Sequence, residues 1–176
     1  RENLVWRGHC VRRLLIMGLP MGLQYSITAI GSILLQTAVN GLGAVSMAAV
    51  AASGKVTGLF ASPYDAMGTM AATYAGQNLG AGKLDRVHHG VKDCCILGVA
   101  YSLAALVVMY FLGAQMTALF LDSKDVASSA QILPLARQLL VTNAAFYIPL
   151  LGVNLFRFTI QGLGYSNLAV IAGVSE

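Results

Sequence analysis

Two long apolar runs without a single charge constrain this chain more than any other feature of its sequence. Residues 14–54 contain no Asp, Glu, Lys or Arg, and residues 94–121 contain none either. An apolar run of about 18 residues or more is typical of a membrane-spanning helix. Charged residues make up 10% of the chain, whereas an ordinary soluble domain has about 25%. So few charges cannot coat a water-soluble surface, and the sequence therefore predicts an all-α, polytopic membrane protein.

Glycine-rich and polar turns divide the chain into five apolar segments. The predicted spans are residues 14–39, 45–74, 94–121, 132–163 and 168–176. The last of these is interrupted by the end of the sequence. Residues 1–13, which contain four arginines, are predicted to be a cytoplasmic connector. Because the chain starts with Arg1 and stops inside an apolar run, we expect it to be part of a longer protein, with residues 14–176 forming part of its membrane domain.

The distribution of Lys and Arg predicts how the chain is oriented in the membrane. One set of ends and loops carries Arg1, Arg7, Arg12, Arg13, Lys83, Arg86 and Lys92. The opposite set carries Lys124 and Arg137. Basic residues collect on the cytoplasmic side, so residues 76–92 are predicted to be inside and residues 122–125 outside. The same distribution argues against nucleic-acid binding, which needs basic and aromatic residues together on a solvated face.

Two rows of polar side chains are the first candidates for a binding site. The row in the first span comprises Gln24, Thr28, Ser32, Gln36 and Asn40. The row in the fourth span comprises Asn143, Tyr147, Asn154 and Gln161, with Arg157 beside them. Polar groups are costly against lipid, so each row should face other helices or a water-filled cavity. The alternative is that these residues only hydrogen-bond neighbouring helices and never contact a substrate.

Lys55 and Asp65 are the ionisable residues that lie deepest inside a predicted span. On one straight helix they would be about 15 Å and about 80° apart, so they cannot form a direct ion pair. Asp65 follows Pro63 by two positions, where the missing hydrogen bond of proline lets water approach the helix. We predict that Asp65 binds a proton or another cation. The alternative is a hydrated carboxylate at the cytoplasmic edge of an overlong helix.

The sequence contains no pattern typical of an enzyme or of a metal protein. Residues 76–82 are rich in glycine but lack the GK[ST] ending of a phosphate-binding loop, which argues against ATP-driven transport. Cys10, Cys94 and Cys95 lack metal-ligand spacing. None of the three histidines pairs with a serine or cysteine in a recognisable catalytic motif. We therefore predict a non-enzymatic protein without a metal or a bound cofactor.

Three segments resemble the MATE (multidrug and toxic compound extrusion) family of transporters. The segment GQNLGAGKLDR, residues 76–86, resembles the cytoplasmic loop after the eighth helix of that family. Gly18-Leu19-Pro20 resembles the start of its seventh helix, and NLFRFTIQGLG, residues 154–164, resembles the end of its tenth. The most specific element is the one formed by Gly76, Gln77, Asn78, Gly80, Ala81 and Arg86. The resemblance covers essentially the whole chain.

This resemblance implies half of a two-lobe transporter with twelve helices, of which the chain would supply the first part of the C-terminal six-helix lobe. It implies antiport of organic cations, drugs or toxic compounds against protons or sodium. The implied partners are the lipid bilayer of the cell membrane, small cationic molecules and the missing N-terminal lobe.

The chain also departs from the family in its acidic residues. Some family branches carry a Glu in the seventh helix and an Asp in the tenth as coupling groups. Here both corresponding spans lack an acid, and Thr28 stands near the position of that Glu. The coupling carboxylate is therefore expected to be Asp65 or to lie in the N-terminal half.

Two other functions are weighed against antiport. The first is a flippase for lipid-linked oligosaccharides, whose cavity should hold several cations, and the spans offer Lys55, Arg137 and Arg157. The second is a membrane anchor without transport activity, which would not need polar rows or charges inside its spans.

Overall fold

A computed structural model describes residues 8–121 and 126–165 of the chain. The described residues form five helices and no strand: α1 (Gly8–Asn40), α2 (Ala44–Gly80), α3 (Leu84–Ala118), α4 (Val126–Ala145) and α5 (Tyr147–Gly162). Helices α1, α2 and α3 are each long and apolar enough to cross a membrane. The all-α prediction is confirmed. The predicted fifth span and the turn at residues 122–125 lie outside the described residues.

Helices α4 and α5 together form the fourth candidate span, which is bent by 47°. The break falls at Phe146, between the two helices. Pro149 lies in the first turn of α5, where a backbone N–H has no partner within its own helix, so proline is tolerated there. The bend places Asn143 of the fourth polar row on α4 and the remaining members of that row on α5.

The glycine-rich segment at residues 76–83 is predicted to be a loop, and this is wrong for residues 76–80, because α2 continues to Gly80. Gly76 is needed for packing and not for a turn. A Cβ atom at Gly76 would lie 3.0 Å from the carbonyl oxygen of Gly162, so the glycine allows α2 and α5 to approach closely.

The turn that follows α2 is confined to three residues, Ala81 to Lys83. Gly82 adopts a φ of 70°, and the N–H of Lys83 donates to the carbonyl oxygen of Asn78 at 2.8 Å. This is the geometry of a helix C-terminus capped by a glycine in the left-handed region. Helix α5 ends in the same way at Gly164, which has a φ of 95°.

The packed core lies among α2, α3, α4 and α5. Its members are Val56, Tyr64, Ala105, Met109, Leu140, Ala144, Tyr147 and Leu151. Helix α1 packs mainly beside α2 and exposes most of its described side chains, although Gln24 and Val39 are buried. An apolar helix face of this kind is suited to lipid or to another part of a membrane protein.

Candidate functional site

A cavity of about 660 Å³ lies between α1, α2 and α5. Its lining residues are Gln24, Tyr25, Ile27, Thr28, Gly31, Ser32, Leu35, Ala61, Asp65, Leu150, Asn154 and Arg157. The apolar members are typical of a ligand pocket, which also needs a few well-placed polar groups to orient its ligand. Each of the three helices contributes such groups.

The α2 wall of the cavity carries a carboxylate beside a proline. Pro63 has no N–H to offer the carbonyl of Leu59, and the hydroxyl of Ser62 donates to that carbonyl at 3.0 Å instead. Asp65 is exposed to the cavity. Its carboxylate makes no hydrogen bond or ion pair with any residue that the structure describes. A carboxylate without a protein partner is available to a proton, a metal cation or an ammonium group.

The α1 wall presents oxygen lone pairs to the cavity. The hydroxyl of Thr28 donates to the carbonyl of Gln24 at 3.3 Å, and that of Ser32 donates to the carbonyl of Thr28 at 3.0 Å. A hydroxyl has one proton to donate, so once that proton is used it can only accept. Both side chains therefore face a ligand as acceptors.

The α5 wall carries the cation of the cavity. Nη2 of Arg157 donates to Oδ1 of Asn154 at 2.6 Å, and its guanidinium lies 5.3 Å from the centre of the Phe158 ring. One turn further on, Nε2 of Gln161 donates to Oε1 of Gln24 at 3.4 Å, which ties α5 to α1. These contacts hold the guanidinium of Arg157 in place and connect the α5 wall to α1.

A sequence model of the MatE family matches residues 20–175 of the chain. The chain belongs to the MATE family of membrane transporters. Neither the curated proteins nor the solved structures contain a match to it. The match agrees with the several apolar helices and establishes a multi-pass membrane protein from a transporter family.

Six of the polar or charged residues that the sequence analysis singled out in this MATE chain come together in the cavity. They are Gln24, Thr28, Ser32, Asp65, Asn154 and Arg157. The cavity therefore collects residues from both polar rows together with Asp65, which was predicted on the ground of its charge.

Four further residues predicted for substrate or ion binding, Gln36, Lys55, Asn143 and Tyr147, lie elsewhere. Gln36 donates to Asn40 on its own helix at 3.0 Å. Lys55 lies 5.6 Å from the centre of the Phe120 ring. Asn143 and Tyr147 both contact Thr57 of α2. None of the four is among the residues that line the cavity.

The fourth polar row does not lie on one straight helix, because the bend at Phe146 separates Asn143 on α4 from Tyr147, Asn154 and Arg157 on α5. Asn154 and Arg157 line the cavity, whereas Asn143 near the end of α4 and Tyr147 at the start of α5 contact α2. The angles expected for one straight helix do not hold across a break of 47°.

Four residues form an inner polar cluster that is separate from the cavity: Tyr64, Tyr101, Ser102 and Tyr147. Ser102 donates to the carbonyl of Gly98 at 2.7 Å, so the hydroxyl of Tyr64 must be the donor in its 2.8 Å contact with Ser102. The rings of Tyr101 and Tyr147 each lie 5.3 Å from that of Tyr64.

The two outer tyrosines of this cluster donate to carbonyls of α2. Tyr101 donates to Phe60 at 3.1 Å, and Tyr147 donates to Thr57 at 3.4 Å. Nδ2 of Asn143 reaches Oγ1 of Thr57 at 3.4 Å. These contacts join α3 and α5 to the part of α2 just before Pro63, so we interpret the cluster as a link between helices.

Sequence reasoning missed Tyr64, Tyr101 and Ser102. Their partners are 38 and 41 positions away along the chain, so no short-range pattern could reveal the contacts. The signal that was available is chemical, since a tyrosine inside an apolar span needs a partner for its hydroxyl.

The motif of the α2 C-terminus lies outside the cavity. Gln77 and Gly80 are exposed, whereas Asn78 is buried and donates to the carbonyl of Tyr74 at 2.8 Å. Arg86 is exposed in the first turn of α3. Among the residues that the structure describes, no group of three or more His, Cys, Asp or Glu could hold a metal ion.

Proposed function

We propose that this chain is part of a secondary active transporter that exports organic cations in exchange for protons or sodium. The observation that carries the proposal is the carboxylate of Asp65, which lies in a 660 Å³ cavity without a partner among the described residues. Thr28 and Ser32 add acceptors on the α1 wall. The guanidinium of Arg157 in the same cavity already donates to Asn154, so the carboxylate and the oxygen acceptors are left to suit a positively charged ligand.

Antiport requires that the substrate and the coupling ion compete for one site or for two linked sites. A carboxylate can hold a proton, a sodium ion or an organic ammonium, but it cannot hold two of them fully at once. Binding of the coupling ion at Asp65 would therefore favour release of the substrate. The proposed substrate class is organic cations, including drugs and toxic compounds, and no cofactor is proposed.

The proposed location is the cell membrane, with residues 76–92 in the cytoplasm and the lipid bilayer around the helices. The second lobe of the transporter is the proposed neighbour of the faces of α1 and α2 that remain exposed. Single cysteines introduced by Gly82→Cys and Ser123→Cys test the orientation. In intact cells an impermeant maleimide should label the second position and not the first, and the reverse pattern would contradict the proposal.

A flippase for lipid-linked oligosaccharides is supported less well. Of the three basic residues that its cavity would use, Arg157 lines the cavity. Lys55 lies by Phe120, and Nη2 of Arg137 donates to the carbonyl of Tyr110 at 3.3 Å. The presence of Arg157 in the cavity favours this second candidate, because its guanidinium could bind one phosphate of a lipid-linked oligosaccharide.

The test of the proposed function is efflux by the intact transporter in an efflux-deficient host. Cells that express it should accumulate less of a cationic dye, and a protonophore or removal of sodium should abolish the difference. Efflux that continues without either ion gradient and stops when ATP is depleted would contradict antiport. Transport of a fluorescent lipid-linked glycan in place of the dye would favour the flippase.

A further inference from the structure

An exposed polar stripe leads from the cavity to the C-terminal end of α2. It consists of Asp65, Thr69, Thr73 and Gln77, at every fourth position of the helix, and all four are exposed. Successive members are about 6 Å apart along the helix axis, so the stripe covers about 18 Å. We call this set the α2 stripe.

A groove of about 610 Å³ follows the same face of α2. Its lining residues are Ala66, Thr69, Met70, Thr73, Tyr74 and Gln77. The groove begins one residue beyond Asp65, which lines the cavity described above. The cavity and the groove therefore adjoin along one helix face.

The hydroxyls of the α2 stripe present acceptors outward. Thr69 donates to the backbone carbonyl of Asp65 at 2.8 Å, and Thr73 donates to that of Thr69 at 3.0 Å. Each hydroxyl proton is used within the helix, so the lone pairs are what remains for a ligand. With the carboxylate of Asp65, this gives three oxygen acceptors in a row and no basic side chain among them.

Lipid cannot cover such a face at low cost, because polar groups in the hydrocarbon region face protein or water. A row of acceptors that ends at a carboxylate matches a hydrated cation in its chemistry, since sodium and hydronium both need oxygen ligands. We propose that the α2 stripe lines a water-filled route along which the coupling cation moves between Asp65 and the cytoplasm. Gln77, within the GQN motif, lies at the cytoplasmic mouth of this route.

This inference rests on the proposed function, because it assigns a route to the cation that Asp65 would bind. It would also give a function to Gln77, the one residue of the GQN motif that does not pack against the other helices. Gly76 and Asn78 of the motif face the bundle, whereas Gln77 faces the groove.

The first arm of the test measures water access in the intact transporter after its native cysteines are replaced. Thr69→Cys and Thr73→Cys in inside-out vesicles should react with a cationic, membrane-impermeant methanethiosulfonate reagent. Ile96→Cys is the control, because Ile96 is an exposed apolar residue of α3 at a similar distance from the cytoplasmic turn. Thiols at positions 69 and 73 that react no faster than the thiol at position 96 would overturn the route and indicate that lipid or protein covers the stripe.

The second arm measures the apparent affinity for the coupling cation on the cytoplasmic side. Thr73→Val removes one acceptor with little change in shape and should weaken that affinity about fivefold, the effect of one lost hydrogen bond. Thr73→Ser should restore it. Thr142→Val is the matched control, because Thr142 is an exposed residue of α4 that donates to its own helix in the same way, at 2.8 Å.

The two arms separate failure of the route from failure of the proposed function. Asp65→Asn is measured beside them, together with equilibrium binding of a cationic dye in the absence of an ion gradient. If Asp65→Asn abolishes coupling while Thr73→Val behaves like Thr142→Val, the route is overturned and the proposed function stands. If Asp65→Asn leaves coupling intact, the carboxylate is not the coupling site and both proposals fall. Loss of affinity in Thr73→Val, with rescue by Thr73→Ser and unchanged dye binding, supports the route.

Discussion

The cavity and the inner polar cluster both contain polar side chains, but Asp65 of the cavity and the tyrosines of the cluster differ in whether they have a hydrogen-bond partner. In the cluster the hydroxyls of Tyr64, Tyr101 and Tyr147 each have a protein partner between 2.8 and 3.4 Å away. In the cavity the carboxylate of Asp65 has none among the described residues. The carboxylate of Asp65 is therefore available to a ligand, whereas the tyrosine hydroxyls of the cluster are used to join helices.

Loss of the Asp65 carboxylate should have the largest effect, and it tests whether the cavity functions in transport. Asp65→Asn keeps the shape of the side chain and deletes its charge, so ion-coupled efflux should fall to the level of cells without the transporter while expression stays normal. Asp93→Asn is the control, because Asp93 is an exposed carboxylate near the start of α3. Wild-type efflux by the Asp65 variant over the whole pH range would show that the residue has no role in coupling.

Overpacking the contact between α2 and α5 should have the next largest effect, which is a loss of stability of the folded protein. A Cβ atom at Gly162 would overlap the backbone of Ala72. Gly162→Ala should therefore destabilise the protein by about 1–3 kcal/mol. Thermal unfolding in detergent measures this. Gly152→Ala, at a helical position with open space around it, should be neutral or slightly stabilising. Equal stability of the two variants would mean that this close approach is absent.

Removal of one hydroxyl from the inner polar cluster should have a smaller effect. Tyr64→Phe deletes the hydrogen bond to Ser102 and should cost about 0.6 kcal/mol, with an upper bound of about 1.7 kcal/mol. Efflux per folded molecule should not change, because the cluster does not line the cavity. Tyr110→Phe, at an exposed position of α3, controls for the loss of a hydroxyl as such. A Tyr64 variant that folds normally but does not transport would show that the inner polar cluster takes part in transport.

The smallest effect is expected on the α1 wall of the cavity. Thr28→Val removes an acceptor and should raise the KM for a cationic dye about two- to fivefold without a change in stability. Thr28→Ser keeps the acceptor and should behave like the wild type. A Thr28→Val variant with an unchanged KM would remove α1 from the substrate site and leave α2 and α5 as its walls.

The sequence was sufficient for the all-α class, for the family and for most of the walls of the cavity. Long uncharged runs fix the membrane class, because lipid excludes charge. A spacing of four residues placed Gln24 and Thr28 on one face of their helix. The high cost of a charge inside a membrane span identified Asp65. These inferences depend on local chemistry, which a single sequence contains.

The rest depended on contacts between distant segments or on helix geometry. The bend at Phe146 placed Asn143 on α4 and Asn154 and Arg157 on α5, so the fourth polar row does not lie on one straight helix. Residues 76–80 were assigned to a loop because glycine is common in turns, whereas Gly76 serves the contact with α5. Ser102 gave no signal, since its partner Tyr64 is 38 positions away.

Water access distinguishes the two regions most directly, because a binding cavity must be wet and a cluster that joins helices must be dry. The measurement compares Asp65→Cys with Ser102→Cys in the intact transporter without its native cysteines, by the rate of reaction with a small, impermeant, water-soluble thiol reagent. We expect rapid modification at position 65 and none at position 102, which is 2% exposed. Equal rates at the two positions, or protection at position 65 alone, would contradict the division between cavity and cluster.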